Sequence, residues 1–144
     1  MSKIFLNRSL KLISILIFIF LSSCSLIKNN QTHDSGNKTA IEDFDAFYDK
    51  FHSDSIFQMS RIKFPLTGFL VDGLKQEKWN EKNWSALKTK VYDVDTTLYK
   101  TDYIKTYKSF IEKVWIKDSG FFVEYRFKVI KRKWYLVYAM DQNL

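Results

Sequence analysis

Few residues in this chain combine a reactive type with a useful spacing, and each stands in a context that narrows what it can do. Cys24 is the only cysteine, in the stretch Leu-Ser-Ser-Cys-Ser at residues 21–25. A lone thiol can be a metal ligand, a nucleophile, half of a disulfide or a site of covalent modification. No second cysteine exists to pair with it, and no histidine lies nearby to activate a thiolate or share a metal. His33 and His52 fall in a polar stretch and in a predicted helix.

Gln58 and Arg61 stand three apart in an otherwise apolar stretch, so a helix would place them on one face. Arg61 could fork onto a carboxylate or phosphate with Gln58 orienting it. The plainer reading pairs Arg61 with a domain acid such as Asp54 or Glu124 and fixes a corner of the fold. Trp79 and Trp84, together with Trp115 and Trp134, can line a ligand surface or serve as core. Asp93 and Asp95 alternate with Tyr92 and Val94, and two carboxylates on one strand face do acid–base work only where a pocket brings them to a bond. A solvated face is the simpler account. No Gly-rich phosphate loop, HExxH, GxSxG or spaced metal cluster occurs. No cofactor, metal site or catalytic residue is therefore expected, and Gln58, Arg61, Trp79 and Trp84 are the candidate ligand-binding residues.

The segment before Cys24 decides among the cysteine chemistries. Lys3, Arg8 and Lys11 make a positive start, and residues 12–21, LISILIFIFL, form an apolar run broken only by Ser14. Such a run is about half the roughly 20 residues needed to cross a hydrocarbon core, and it fits the apolar region of an export signal. Leu21-Ser22-Ser23-Cys24 resembles a bacterial lipobox. That resemblance implies a diacylglyceryl thioether on Cys24, cleavage just before it and acylation of the new amino terminus. Two or three chains anchor a protein stably where one does not.

The expected organisation is a signal peptide over residues 1–23, the lipidated cysteine and a flexible tether over 24–40, and a single domain over 41–144. The tether is rich in Asn, Ser, Gly and Thr, the composition of a flexible linker. Position 25 is Ser rather than Asp and no acidic run follows it, which favours an outer-membrane location facing the periplasm.

The charge of +7 loses its meaning as a nucleic-acid signal once the signal peptide is set apart. Three cations and no acid precede Cys24, so 20 cations face 16 acids afterwards, a charge of +4. With no basic stripe or recognition motif, nucleic acid is not expected as a partner. A chain that is 46% hydrophobic and 17% aromatic has material for a real core and is not disordered.

The candidate residues must be held by elements that follow the tether. Thr39 to Glu42 matches a capping box, and Phe44, Phe47, Tyr48 and Phe51 then recur at helical spacing. Asp54-Ser55 can cap a second short helix. Residues 61–65 read as a strand ending at the only proline, and Gly68 and Gly73 bracket a further short extended piece. Residues 77–88 look helical and 91–98 extended. Residues 104–116, 121–130 and 134–140 read as strands joined by turns at 117–120 and 131–133, an antiparallel meander. Helices first and a curved sheet after them make an α+β layer fold, with N-terminal helices packed on a curved antiparallel sheet.

With helices first and a meander ending in KRKWYLVY, the domain resembles the cone-shaped superfamily of nuclear transport factor 2. More narrowly, DFDAFYDKFHSDSIFQMSRIKFPL is similar to the opening of a family of bacterial envelope lipoproteins of unknown function. The pattern is carried by Phe44, Phe47, Phe51, Asp54, Ser55, Phe57, Gln58, Arg61, Ile62, Phe64, Pro65 and Leu66, and the likeness runs over residues 41–142. The superfamily includes isomerases, dehydratases and non-catalytic binders, so fold does not supply function. Its enzymes need an acid or histidine inside the cone. Here the inward faces of the last strands read as Phe, Val, Tyr, Trp and Leu, Glu124 alternates outward, and no embedded acid–base pair is expected. The expectation is a lipid-anchored module that meets the membrane through Cys24 and binds an envelope protein or a small apolar ligand. The alternative is a small cone-fold enzyme with an acid in its pocket.

Overall fold

The structure, a computed structural model, describes residues 40–144. The expected signal, Cys24 and all but the last residue of the tether lie outside the described residues. Two helices, α1 (Phe44–Ser53) and α2 (Ser55–Ser60), precede six strands. These are β1 (Ile62–Asp72), β2 (Lys75–Trp79), β3 (Lys100–Lys105), β4 (Ser109–Trp115), β5 (Phe122–Ile130) and β6 (Lys133–Asn143). They form one curved sheet in the order β2-β1-β6-β5-β4-β3, an α+β arrangement with the helices packed on the sheet. Neighbours are antiparallel except β1 and β6, which run parallel, so the antiparallel sheet expected from sequence carries one parallel join. Among the described residues no helix is long and apolar enough to cross a membrane.

The aromatic stripe of α1 is the base of the core. Phe44, Phe47, Tyr48 and Phe51 are buried while Asp45, Asp49 and Lys50 face solvent. Against them the sheet sets Ile62, Leu136, Phe127 and Phe110, which are register neighbours across β1, β6, β5 and β4. Phe44 lies 4.6 Å from Phe110 and 4.9 Å from Trp134, and Phe51 lies 5.2 Å from Phe127, ring centre to ring centre. Burying a large apolar side chain of this kind stabilises by about 2–3 kcal/mol.

Several expectations are corrected here. Helix α1 is capped by Asp43, which accepts from the Ala46 N–H at 2.8 Å, and not by a Thr39–Glu42 box. Asp54 caps α2 as expected, accepting from Ile56 and Phe57 at 3.0 and 2.9 Å. Strand β1 does not stop at Pro65. Its pairing with β6 skips from Ile62 to Thr67, so the proline, lacking an N–H, sits where no ladder bond is required. The piece between Gly68 and Gly73 is the continuation of β1. At Gly68 (φ +103°) a Cβ would lie 1.8 Å from the Ala139 carbonyl oxygen, so the join of β1 to β6 admits only glycine.

The helix expected over residues 77–88 is absent: β2 runs to Trp79 and irregular chain follows. Asn80 and Asn83 explain this locally. Their side-chain oxygens take the Lys82 and Asn80 N–H groups at 2.9 and 2.8 Å, the competition that keeps Asn out of helices. The extended stretch expected at 91–98 is instead one 3-10 turn at Val91–Asp93 and a turn at Asp95, whose carboxylate accepts from Thr97 N–H and O–H. Residues 104–116 hold the end of β3, a turn and β4, and the meander β4-β5-β6 is as expected.

Candidate functional site

Irregular chain from Asn80 to Tyr99 crosses from β2 to β3, and two buried polar side chains of the helices staple it down. Gln58 is 1% exposed. Its Nε2 donates to the Phe51 and Leu87 carbonyls at 2.6 and 2.8 Å, and its Oε1 accepts from Trp84 Nε1 and Leu87 N at 3.0 and 2.9 Å. Both donors and both acceptor sites of the amide are thus filled, leaving nothing for a ligand. Trp84 packs on Trp79 at 5.2 Å, and Trp79 Nε1 donates to Ala139 O at 2.8 Å. Of the residues singled out in the sequence, Gln58, Trp79 and Trp84 therefore meet, as a brace beneath the loop.

Arg61 stands apart from them. It forks onto Glu42 with two bonds of 2.8 Å and donates a third to Trp134 O at 3.1 Å. Its partner is Glu42 rather than Asp54 or Glu124. Burial alone would raise the Glu42 carboxyl, but Arg61 and the Trp134 N–H outweigh it and hold the group below its ordinary value. Arg61 ties the chain before α1 to the start of β6. Trp134 lies in the core beside it, and Trp115 is half-buried on β4.

The second staple was not visible in sequence. Tyr48 Oη donates to Glu112 Oε2 and accepts from the Val91 N–H at 3.1 Å. Glu112 is 4% exposed, and burial, eased by the bond from Tyr48, pushes its carboxyl up to about 7. Burial and the adjacent carboxyl raise the Tyr48 phenol too, so the phenol keeps its proton. An embedded acid thus exists where none was expected. The signal for it was Glu112 between Phe110 and Val114 on one strand face, a lone acid in an apolar alternation. Glu124 does take the opposite face of β5 from Val123 and Tyr125, yet it is buried there under a salt bridge to Arg126. His52, beside Tyr48, donates from Nδ1 to the Tyr48 carbonyl at 2.9 Å, and burial holds its ring below the usual histidine range.

Between the stapled loop and the sheet lies a cavity of about 490 Å³. Leu87, Val94 and Tyr99 line it from the loop side, and Val114, Val123 and Tyr125 from β4 and β5. Phe121, 5.5 Å from Tyr99, closes one end. Trp84 packs behind Tyr125 at 6.3 Å. Exposed Lys88, Asp93 and Asp95 supply the charged edge. Asp93 and Asp95 do not share a strand face. Lys90 lies 3.5 Å from Asp93, and the hydroxyl and N–H of Thr97 hold Asp95 below the usual carboxylate range. Glu112 does not line the cavity. Among the described residues no cluster of three or more His, Cys, Asp or Glu could hold a metal ion.

A protein-family model described only as "-like" matches residues 42–143. The chain is also similar to a protein from Bacteroides uniformis ATCC 8492 solved by NMR, with a TM-score of 0.50 and 24% identity over 72% of this chain and 78% of that one. A further likeness is to a crystallised ntf2-like protein from Bacteroides fragilis NCTC 9343, with a TM-score of 0.49 and 21% identity over 72% of this chain. This chain covers 48% of that protein's length. At such identities the likeness concerns the fold alone. No curated protein matches the chain.

Proposed function

We propose that this chain, which belongs to the family whose model matches residues 42–143, is a lipid-anchored module of the bacterial envelope that binds a small apolar ligand without transforming it. The observation that carries the binding half is the cavity, whose walls are Leu87, Val94, Val114, Val123 and three aromatics. Cavities of this size and lining hold small molecules. Acid–base catalysis would need a carboxyl or imidazole that reaches a substrate in it. Glu112 has the tuned acidity such a role asks for, but Tyr48 occupies it and it does not reach the cavity wall. Asp95, held low by Thr97, is a weaker base than a free aspartate. The anchoring half rests on the lipobox-like Leu21-Ser22-Ser23-Cys24 after its apolar run.

One preparation tests both halves. The full chain, made in bacteria fed a labelled fatty acid, is expected to carry the label and to lose it in Cys24→Ser; label that persists in the variant would sink the anchor. The same protein in detergent is expected to bind an apolar naphthalene dye above the level of empty micelles. Binding no better than that of micelles would remove the ligand-binding reading.

A further inference from the structure

The most deeply buried polar residue of the cavity wall has no protein partner for its side chain. Tyr125 is 8% exposed, its ring forms part of the cavity wall, and no group among the described residues accepts from its hydroxyl. The polar side chains that brace the loop are matched instead. Gln58 has four bonds, Tyr48 two, and the indoles of Trp79 and Trp84 one each. The hydroxyl is not sealed from solvent, so a bound acceptor would replace water on it, inside an apolar wall that shelters the new bond. Space for that acceptor is what the cavity supplies.

The surroundings restrict the acceptor's charge. Across the sheet Tyr125 is the register neighbour of Glu112 on β4, and Asp141 on β6 is the register neighbour of Val123. Asp93 and Asp95 lie at the open edge, against the single lining cation Lys88. Burial first, and then the negative fields of Asp141 and Glu112, raise the phenol well above its ordinary value, and Asp141 together with the edge carboxylates of Asp93 and Asp95 disfavours an anion beside its oxygen. The aliphatic walls offer nothing to a charge of either sign.

We infer that the cavity takes a neutral apolar molecule bearing a hydrogen-bond acceptor, a ketone, ester or amide oxygen, which the hydroxyl of Tyr125 engages while Val114, Val123 and Leu87 enclose the hydrocarbon. This rests on the ligand-binding reading above and adds to it the ligand's chemical class. Tyr125 is then the residue that separates acceptor-bearing molecules from plain hydrocarbons of the same shape.

The test uses the full chain in detergent, with empty micelles as blank, and three naphthalene dyes of one shape: an alkyl, an alkyl-ketone and an alkyl-carboxylate derivative. Binding is read by quenching of tryptophan emission, since Trp84 packs on Tyr125. The ketone is expected to bind about fivefold more tightly than the hydrocarbon, the worth of one neutral hydrogen bond, and the carboxylate more weakly than either. Tyr125→Phe is expected to erase the ketone's advantage over the hydrocarbon, and a retained cooperative thermal transition shows that the variant is folded. Independently of any variant, the carbonyl stretch of the bound ketone is expected to fall to its hydrogen-bonded frequency. Equal binding of ketone and hydrocarbon, an unshifted carbonyl, or tightest binding by the carboxylate would overturn the inference and leave the ligand-binding reading standing. Failure of all three dyes would remove both.

Discussion

The two walls of the cavity are built in opposite ways. The sheet wall, Val114, Val123 and Tyr125, is held by backbone ladders that continue through six strands. The loop wall, Leu87 to Tyr99, has hardly any ladder. It is held by Gln58 gripping both the N–H and C=O of Leu87, and by Tyr48 taking the N–H of Val91. A wall of the first kind is as rigid as the whole sheet, since opening it breaks many bonds at once. A wall of the second kind is as rigid as two side chains. The difference implies that the sheet fixes the shape of the site and that the staples fix whether it is closed.

Breaking the sheet is expected to have the largest effect. Gly68→Ala would drive a Cβ into the Ala139 carbonyl oxygen at 1.8 Å and hold alanine at φ +103°. Moving β1 off β6 also disturbs Trp79, whose indole uses the same carbonyl. A loss of about 4 kcal/mol or failure to fold is expected, as for other severe backbone clashes. A thermal midpoint within a degree or two of the native value would show that β1 is not seated on β6 as described.

Cutting a staple should separate the two walls. Gln58→Leu keeps the volume and removes four hydrogen bonds, leaving the Leu87 and Phe51 carbonyls, the Leu87 N–H and the Trp84 indole unmatched. About 3 kcal/mol of destabilisation is expected, less than four independent bonds because the freed loop can rehydrate. Amide hydrogen exchange is the sharper reading. Protection should fall over residues 84–91 while β4 and β5 keep theirs. Uniform loss across the sheet would make Gln58 an ordinary core residue and dissolve the distinction between the walls.

The same contrast explains what could be read from the sequence. The stripe of α1 and the meander repeat with the periods of helix and strand, so Phe44, Phe47, Tyr48 and Phe51, and the alternation at Val123, Tyr125 and Phe127, report their own burial. The loop has no period to report. Its shape depends on Gln58 reaching a residue 29 positions away and Tyr48 one 43 positions away, which local pattern does not encode. Hence Trp84 and Leu87, which share a helical face on paper, became a helix in expectation and a braced loop in fact. Gln58 and Arg61 were visible as polar residues in an apolar stretch, but their partners were not. Tyr125 was placed on the inward face correctly. That its hydroxyl would lack a partner required knowing every neighbour.

The second staple gives the smallest effect and the one with a sign. Glu112 is pushed up to about 7 in the folded chain, against about 4.3 when unfolded. Its folded form therefore holds a proton that the unfolded chain gives up. Nothing is lost below the unfolded value, stability declines as pH rises from there, and the full penalty stands above the folded value. The shift corresponds to roughly 4 kcal/mol, of which an amide would recover about 2, because its own N–H groups are also poorly solvated there. Glu112→Gln is thus expected to be more stable than the native chain by about 2 kcal/mol at a pH of about 8, and no more stable at about 5, in urea titrations of the full chain. Glu42 works in the other direction. Its carboxyl is held low, so its contribution is present above the unfolded value and disappears as pH falls through the folded one, and this acid-side loss should remain in the variant. Should Glu112→Gln destabilise equally at both pH values, the carboxylate's bond to Tyr48 would outweigh its burial, and the staple would be a source of strength for the loop wall at every pH.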